Sequence, residues 1–200
     1  MKVVGLCGGS GVGKGYCSAL FFECGIPAID TDKVYHDLVS SGSDCLDELI
    51  AYFGKSIVSD SGALDRRELS RIVFSDKSAL AELNRITHKH ILAKTRDMIA
   101  EFEKTGYRAV LIDAPLLFES GFDKECDLIL GVVADDAVRI ARITKRDGIT
   151  ETAANKRISS QLTNDEIAKK CDYVIVNNGE CDTLLDEIRA LAEKILETEK

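Results

Sequence analysis

The segment Gly8-Gly9-Ser10-Gly11-Val12-Gly13-Lys14-Gly15 follows directly on the apolar run Val3-Val4-Gly5-Leu6-Cys7. It reads as a strand, a glycine loop and a helix start. Backbone N–H groups of such a loop can turn inward around a polyphosphate, the following helix offers its positive N-terminus, and Lys14 can reach the β- and γ-phosphates. The usual pattern closes with Ser or Thr after the lysine, whose hydroxyl binds Mg²⁺, and here Gly15 stands in that place. The loop therefore points to nucleotide binding more firmly than to metal handling.

Further apolar runs at Ile26 to Ile29, Ala109 to Ile112, Leu128 to Val133 and Tyr173 to Val176 alternate with long amphipathic stretches. Five nearly continuous apolar strands separated by helices predict an α/β fold with a parallel five-stranded sheet covered on both faces. Ligands of such sheets bind at the carboxyl ends of the strands, so the residues after each run carry the chemistry. Residues 32–104 are far more than one crossover helix needs, and Leu80, Leu83, Ile86 and Leu92 keep approximate helical spacing there, which predicts an inserted helical lobe. A smaller helical excursion ending at Lys170 has the pattern of a lid. The expected organisation is one domain over 1–200, with a core of 1–31, 105–140 and 171–200, a lobe of 32–104 and a lid of 141–170.

The chain has 200 residues, 45% of them apolar, and a formal net charge of -8. One good core suffices for that length. The acidic balance argues against a general nucleic-acid binder, and no stretch approaches the length of a membrane span. Seven cysteines without a C-x-x-C pair suggest a reducing, cytoplasmic setting.

Phosphoryl transfer requires a phosphate cradle, a divalent metal, cations for the equatorial oxygens and a carboxylate near the attacking hydroxyl. Asp32, just beyond the second strand, can take or orient the proton of an acceptor hydroxyl. Asp30 competes for that role, and either aspartate could simply cap the helix expected near Lys33. Asp113 ends the third strand like the aspartate of a Walker B strand, which holds Mg²⁺, although it could equally be a turn residue before Pro115. Arg139, Arg142 and Arg146 share one face of the helix after the fourth strand, and a cationic stripe there is expected to face the ligand, with Arg157 joining on closure. His88 and His90 lack a metal-ligand pattern and suit hydrogen bonding to substrate or plain exposure.

Together these pieces resemble the dephospho-CoA kinase family. The resemblance runs from Val4 to about Gly179. It is carried by the glycine loop with Lys14, Ile29-Asp30-Thr31-Asp32, Leu83-Asn84-Arg85-Ile86-Thr87-His88, Pro115-Leu116-Leu117-Phe118-Glu119, Arg146-Asp147-Gly148 with Arg157 and Gln161, and Asp172 to Ile175 with Asn177-Asn178-Gly179. It implies a P-loop NTPase-type kinase core, with the lobe binding the CoA moiety, and transfer of the ATP γ-phosphate to the ribose 3′-hydroxyl of dephospho-CoA.

On that resemblance, Asp32 is the catalytic base, with Lys14 and Arg142 as its catalytic partners. Gly9, Ser10, Gly11, Val12, Gly13, Lys14 and Gly15 cradle ATP, Arg142 and Arg146 line its lid side, and Asn177 lies near the adenine. Asp32, Arg85, His88, Leu116, Leu117 and Arg157 meet the acceptor, and Asp32 and Asp113 serve Mg²⁺. ATP and dephospho-CoA are the expected partners, with no nucleic acid or membrane, and the chain is expected to be a monomer or weak homo-oligomer. Gly15, Lys89, Thr31 and Val176 depart from the family's usual residues, and only Gly15 touches core chemistry. The competing readings are a nucleoside or nucleotide kinase, differing in its acceptor pocket, and a nucleotide-binding protein whose catalysis has decayed.

Overall fold

A computed structural model of the chain describes residues 1–179 and 181–197. Residue 180 and residues 198–200, which fall in the expected core segment 171–200, lie outside the described residues. The chain divides into two compact units, one of 1–30 with 99–200 and the other of 31–98.

The first unit is built on a five-stranded sheet of β1 (Lys2–Cys7), β2 (Ala28–Asp30), β3 (Ala109–Asp113), β4 (Leu128–Val133) and β5 (Tyr173–Val176), in the order β2-β3-β1-β4-β5. Every pairing is parallel, with Val4 opposite both Leu111 and Leu128. The α/β parallel sheet read from the sequence is therefore the observed one. Ala109 to Ile112 are fully buried, as the interior position of β3 between β2 and β1 requires when both sheet faces are covered.

The second strand begins two residues later than its apolar run. The Ile26 N–H closes the turn onto the Phe21 carbonyl at 3.0 Å, and Pro27 has no N–H to give, so the ladder starts at Ala28. The Pro27 carbonyl still accepts from the Leu111 N–H at 2.8 Å.

Helix α1 (Lys14–Glu23) buries Cys17, Leu20 and Phe21 in the core. The C-terminal helix, Cys181–Glu197, contributes Leu184, Ile188, Leu191, Ala192 and Ile195 to the same cluster. Their three- and four-residue spacing makes one apolar stripe. No helix among the described residues is long and apolar enough to cross a membrane.

The second unit begins with α2 (Thr31–Leu38), followed by α3 (Asp44–Phe53), α4 (Arg66–Ser75) and most of α5 (Lys77–Lys104). Its apolar cluster includes Val39, Leu49, Ile57, Leu69, Val73 and Ile86. Ser43 caps α3 by accepting from the Leu46 N–H, and Asp65 caps α4 by accepting from the N–H groups of Arg67 and Glu68. Leu80, expected on the apolar face of the lobe, is instead partly exposed.

Candidate active site

The phosphate loop joins the end of β1 to α1. Gly13 sits in the left-handed region at φ 90° and heads the helix without a side-chain cap. A Cβ there would collide with the Asn177 amide nitrogen, so glycine is required by both backbone and space. Lys14 Nζ donates to the Gly8 carbonyl at 3.1 Å and lies 3.9 Å from the Asp113 carboxylate. The Ser18 hydroxyl, one turn beyond Lys14, donates to Asp113 Oδ2 at 3.4 Å. Gly15 faces open space, with nothing within 4 Å of where a Cβ would stand.

Two arginines brace this loop from α6 (Asp136–Asp147). Arg139 is only 2% exposed; its Nε donates to the Ser10 carbonyl at 3.0 Å and a terminal nitrogen meets Asp136 at 3.1 Å. Arg142 reaches the carbonyls of Gly11 at 3.2 Å and Asn177 at 2.9 Å, and the Asn177 Oδ1 at 3.2 Å. Asn177 in turn is buried and donates its Nδ2 to the Val12 carbonyl at 2.8 Å. The cationic stripe expected to face a ligand is thus corrected at Arg139. A glycine loop whose N–H groups point inward turns carbonyls outward, and a buried guanidinium supplies the donors they need. Val12 likewise serves the loop through its backbone, because its side chain belongs to the core cluster.

The excursion after α6 forms α7 (Glu151–Ser159) and α8 (Asn164–Lys170). Thr150 caps α7, and Thr163 and Glu166 form a reciprocal capping box on α8. Between the two helices, the Gln161 Oε1 accepts from the Ser10 N–H at 2.8 Å, and its amide group donates to the Ser10 hydroxyl at 3.2 Å. Gln161 is therefore a loop contact that the sequence offered only as part of a family pattern.

Arg146 grips Asp147 through two bonds of 2.7 and 3.0 Å, and Arg157 from α7 binds the same carboxylate. These hydrogen bonds, Arg146 first and Arg157 second, hold the Asp147 carboxyl well below the usual carboxylate range. Arg146 and Arg157 are thus brought together, by an aspartate that spacing alone did not single out.

A cavity of about 130 Å³ opens beside the loop, lined by Gly8, Gly9, Pro115, Leu116, Gln161 and neighbouring residues. Leu116 is half exposed there. Leu117 corrects the expectation of a substrate contact: its side chain is fully buried and packs where a Cβ on Gly5 would stand, only 2.8 Å away.

In the second unit, Asp32 lies in the first turn of α2, which starts at Thr31. It is inside the helix, so the capping role considered for it does not apply, and a carboxylate there is favoured by the helix's positive end. Arg85 pairs with Glu82, and Glu48 receives bonds from Lys89 at 2.7 Å and His90 at 2.8 Å. Hydrogen bonds from Lys89 and then His90 lower the Glu48 pKa. His88 sits on the same helix as Arg85, within α5.

Among the described residues no group of three or more His, Cys, Asp or Glu side chains could hold a metal ion. Asp113 and the Ser18 hydroxyl are nevertheless hard oxygen donors beside the loop. That set fits Mg²⁺, which is ordinarily bound by one or two carboxylates together with substrate phosphates and water.

The family model of dephospho-CoA kinase (CoaE) matches residues 2–183. A dephospho-CoA kinase of Fusobacterium nucleatum is 38% identical over 195 residues, covering 98% of this chain and 99% of its own. One from Listeria innocua is 35% identical over 195 residues, covering 98% of each chain. Among solved structures, the TT1252 protein of Thermus thermophilus superposes with a TM-score of 0.82 at 28% identity, covering 99% of this chain and 98% of that one. The dephospho-CoA kinase of Campylobacter jejuni shares the fold at a TM-score of 0.69 and 24% identity, over 98% of both chains. With a family match across almost the whole described length, this chain belongs to the dephospho-CoA kinase family.

Proposed function

We infer that this chain transfers the γ-phosphate of ATP to the ribose 3′-hydroxyl of dephospho-CoA, giving CoA and ADP in the final step of coenzyme A synthesis. The observation that carries the reading is the family match over residues 2–183. The loop geometry supports it: Lys14 is held between the Gly8 carbonyl and Asp113, where it can neutralise charge on the transferring phosphoryl group.

The roles follow from chemistry. The amides of Gly9 to Gly13, with Lys14, bind the ATP phosphates, and Gly15 adds its backbone N–H at the start of α1. Arg142 braces the loop and, with Arg146, borders the phosphates on the side of the lid; Asn177 fixes the loop edge next to the adenine. Asp32 accepts the proton of the 3′-hydroxyl as it attacks. Arg85, His88, Leu116 and Arg157 meet the acceptor. Asp113 and Asp32 would hold Mg²⁺, with Ser18 orienting Asp113, and the metal would supply positive charge to the ATP phosphates. The lobe of 32–104 and the lid of 141–170 complete a single kinase domain that works in the cytoplasm as a monomer or weak homo-oligomer, apart from nucleic acid and membranes.

The test is ADP release from the purified chain with ATP and Mg²⁺, with dephospho-CoA, adenosine or AMP as acceptor. Release that depends on dephospho-CoA and yields CoA is expected. Release with AMP or adenosine instead would replace the reading with a nucleotide or nucleoside kinase, and none with any acceptor would leave a nucleotide-binding protein.

A further inference from the structure

Cys7 ends β1 immediately before the phosphate loop, and Cys171 lies between α8 and β5. Their Sγ atoms are 3.3 Å apart, although β4 separates β1 from β5 in the sheet. The gap is closed by Gly131. It is the β4 partner of Cys7 in register, and a Cβ on it would stand 2.9 Å from Cys171 Sγ and 2.8 Å from Ile167. Any side chain at 131 would push the two thiols apart. The segment carrying Cys171 is pinned in place, because the Ile129 N–H donates to the Asp172 carboxylate at 2.8 Å and the Asp172 N–H returns a bond to the Ile129 carbonyl at 2.9 Å.

We propose that Cys7 and Cys171 form a reversible redox site, in which a hydroperoxide converts the thiol pair to a disulfide that displaces the entry of the phosphate loop. The two cysteines differ in the way such a site needs. Cys171 is partly exposed, whereas Cys7 is buried and lines the cavity beside the loop. A hydrogen bond from the Cys7 thiol favours ionisation of Cys171, while that same contact and burial push Cys7 up. Cys171 is therefore the thiol that ionises first and meets the oxidant.

Its thiolate attacks one peroxide oxygen; an S–O bond forms, the O–O bond breaks and hydroxide leaves, taking up a proton to become water. The Cys7 sulfur then attacks the Cys171 sulfur; the S–S bond forms, the S–O bond breaks and a second water departs with the Cys7 proton. Two thiols are oxidised and one peroxide is reduced.

A disulfide requires the sulfurs to close to about 2.05 Å, a contraction of roughly 1.2 Å. Cys7 continues directly into Gly8, whose carbonyl holds Lys14. A shift of about 1 Å at a reacting group costs on the order of 100-fold in rate, and side-chain rotation absorbs part of this one, so a loss of about tenfold or more is expected.

The experiment treats the full chain with hydrogen peroxide, maps its tryptic peptides without reduction, and follows dephospho-CoA-dependent turnover before and after dithiothreitol. The expected result is a linked Cys7–Cys171 peptide that accumulates in step with the loss of activity, both reversed by reductant. Fragmentation assigns the bond to Cys171 rather than Cys181, which shares its tryptic peptide. Cys171→Ser should keep basal turnover and resist peroxide, and Cys171→Ala repeats the test should the serine variant fold poorly. Oxidation that leaves Cys7 and Cys171 unlinked overturns the proposal, as does a linked enzyme with full activity. The linked peptide is read without reference to turnover, so its absence is separable from a wrong assignment of the reaction.

Discussion

Replacing Arg139 with Met keeps an unbranched apolar stem and removes the guanidinium that holds the phosphate loop. Three contacts disappear, of unequal weight. The bond to the Ser10 carbonyl, from a side chain only 2% exposed, is a charged donor meeting a backbone acceptor and contributes about 1.5–3 kcal/mol. Asp136 is 67% exposed on its side chain, so its ion pair contributes about 0–1 kcal/mol. The contact to Gln161, at 3.5 Å, is too long to add much.

The sum is about 1.5–4 kcal/mol, and at roughly 2–4 °C per kcal/mol for a chain of this size the melting temperature should fall by about 3–16 °C. Asp136→Asn removes only the exposed pair and should cost about 4 °C or less. Calorimetry on both variants, with titration of a fluorescent ATP analogue, separates the contributions: Arg139→Met should also weaken nucleotide binding, and Asp136→Asn should not. Equal melting temperatures for the two variants, or unchanged nucleotide affinity in Arg139→Met, would refute the bracing role.

Asp32→Asn should lower kcat by about 10²–10⁴-fold with ATP affinity nearly intact, since it deletes a base and leaves the cradle; retained turnover would move the role to Asp30. Lys14→Ala should weaken both ATP binding and turnover, with kcat/KM reduced on the order of 100-fold or more, and steady-state kinetics showing neither effect would place the nucleotide elsewhere. Gly15→Ser enters open space, so it should lower the Mg²⁺ concentration needed for half-maximal rate and stabilise α1 by about 0.5 kcal/mol; an unchanged Mg²⁺ titration would count against a missing ligand there. Asp147 has a depressed folded pKa, so its stabilising contribution is present above its unfolded value of about 3.9 and is lost only as pH falls through the lower folded value. Carboxyl-carbon NMR should accordingly find it still ionised near pH 4, and a midpoint at or above the unfolded value would show the Arg146 and Arg157 clamp to be open in solution.

The strands were legible because each is an apolar run bounded by polar or glycine residues, and only β2 slipped, where a turn bond and Pro27 delayed its ladder. The places of Lys14 at the head of α1 and Asp113 at the end of β3 were legible as well, because a lysine after a glycine loop and an aspartate after an apolar run are local patterns. The arginine stripe was legible as a face and illegible in purpose. Spacing places Arg139 and Arg142 on one side of α6 but does not say that outward carbonyls of residues 10–12 meet them. The signal was present in principle: a glycine loop that turns its N–H groups inward must find donors for its carbonyls elsewhere. Leu116 and Leu117 show a sharper limit, since two identical neighbours in a turn carry no sequence cue as to which one the core takes. Cys7 and Cys171 show the same limit across the chain, their contact depending on a glycine in β4.

On the proposed reading of the loop, the bond between Gln161 and the Ser10 N–H makes phosphate binding an exchange. Any phosphate oxygen that claims this amide proton must evict the Gln161 carbonyl, so the loop's affinity is a difference between two acceptors. A charged oxygen forms the stronger bond, and the balance favours the ligand. The evicted residue lies between α7 and α8, so its release removes one tie between that connection and the loop. By reciprocity, whatever ties Gln161 down more tightly makes the loop a poorer host for phosphate, and whatever draws Gln161 away makes it a better one.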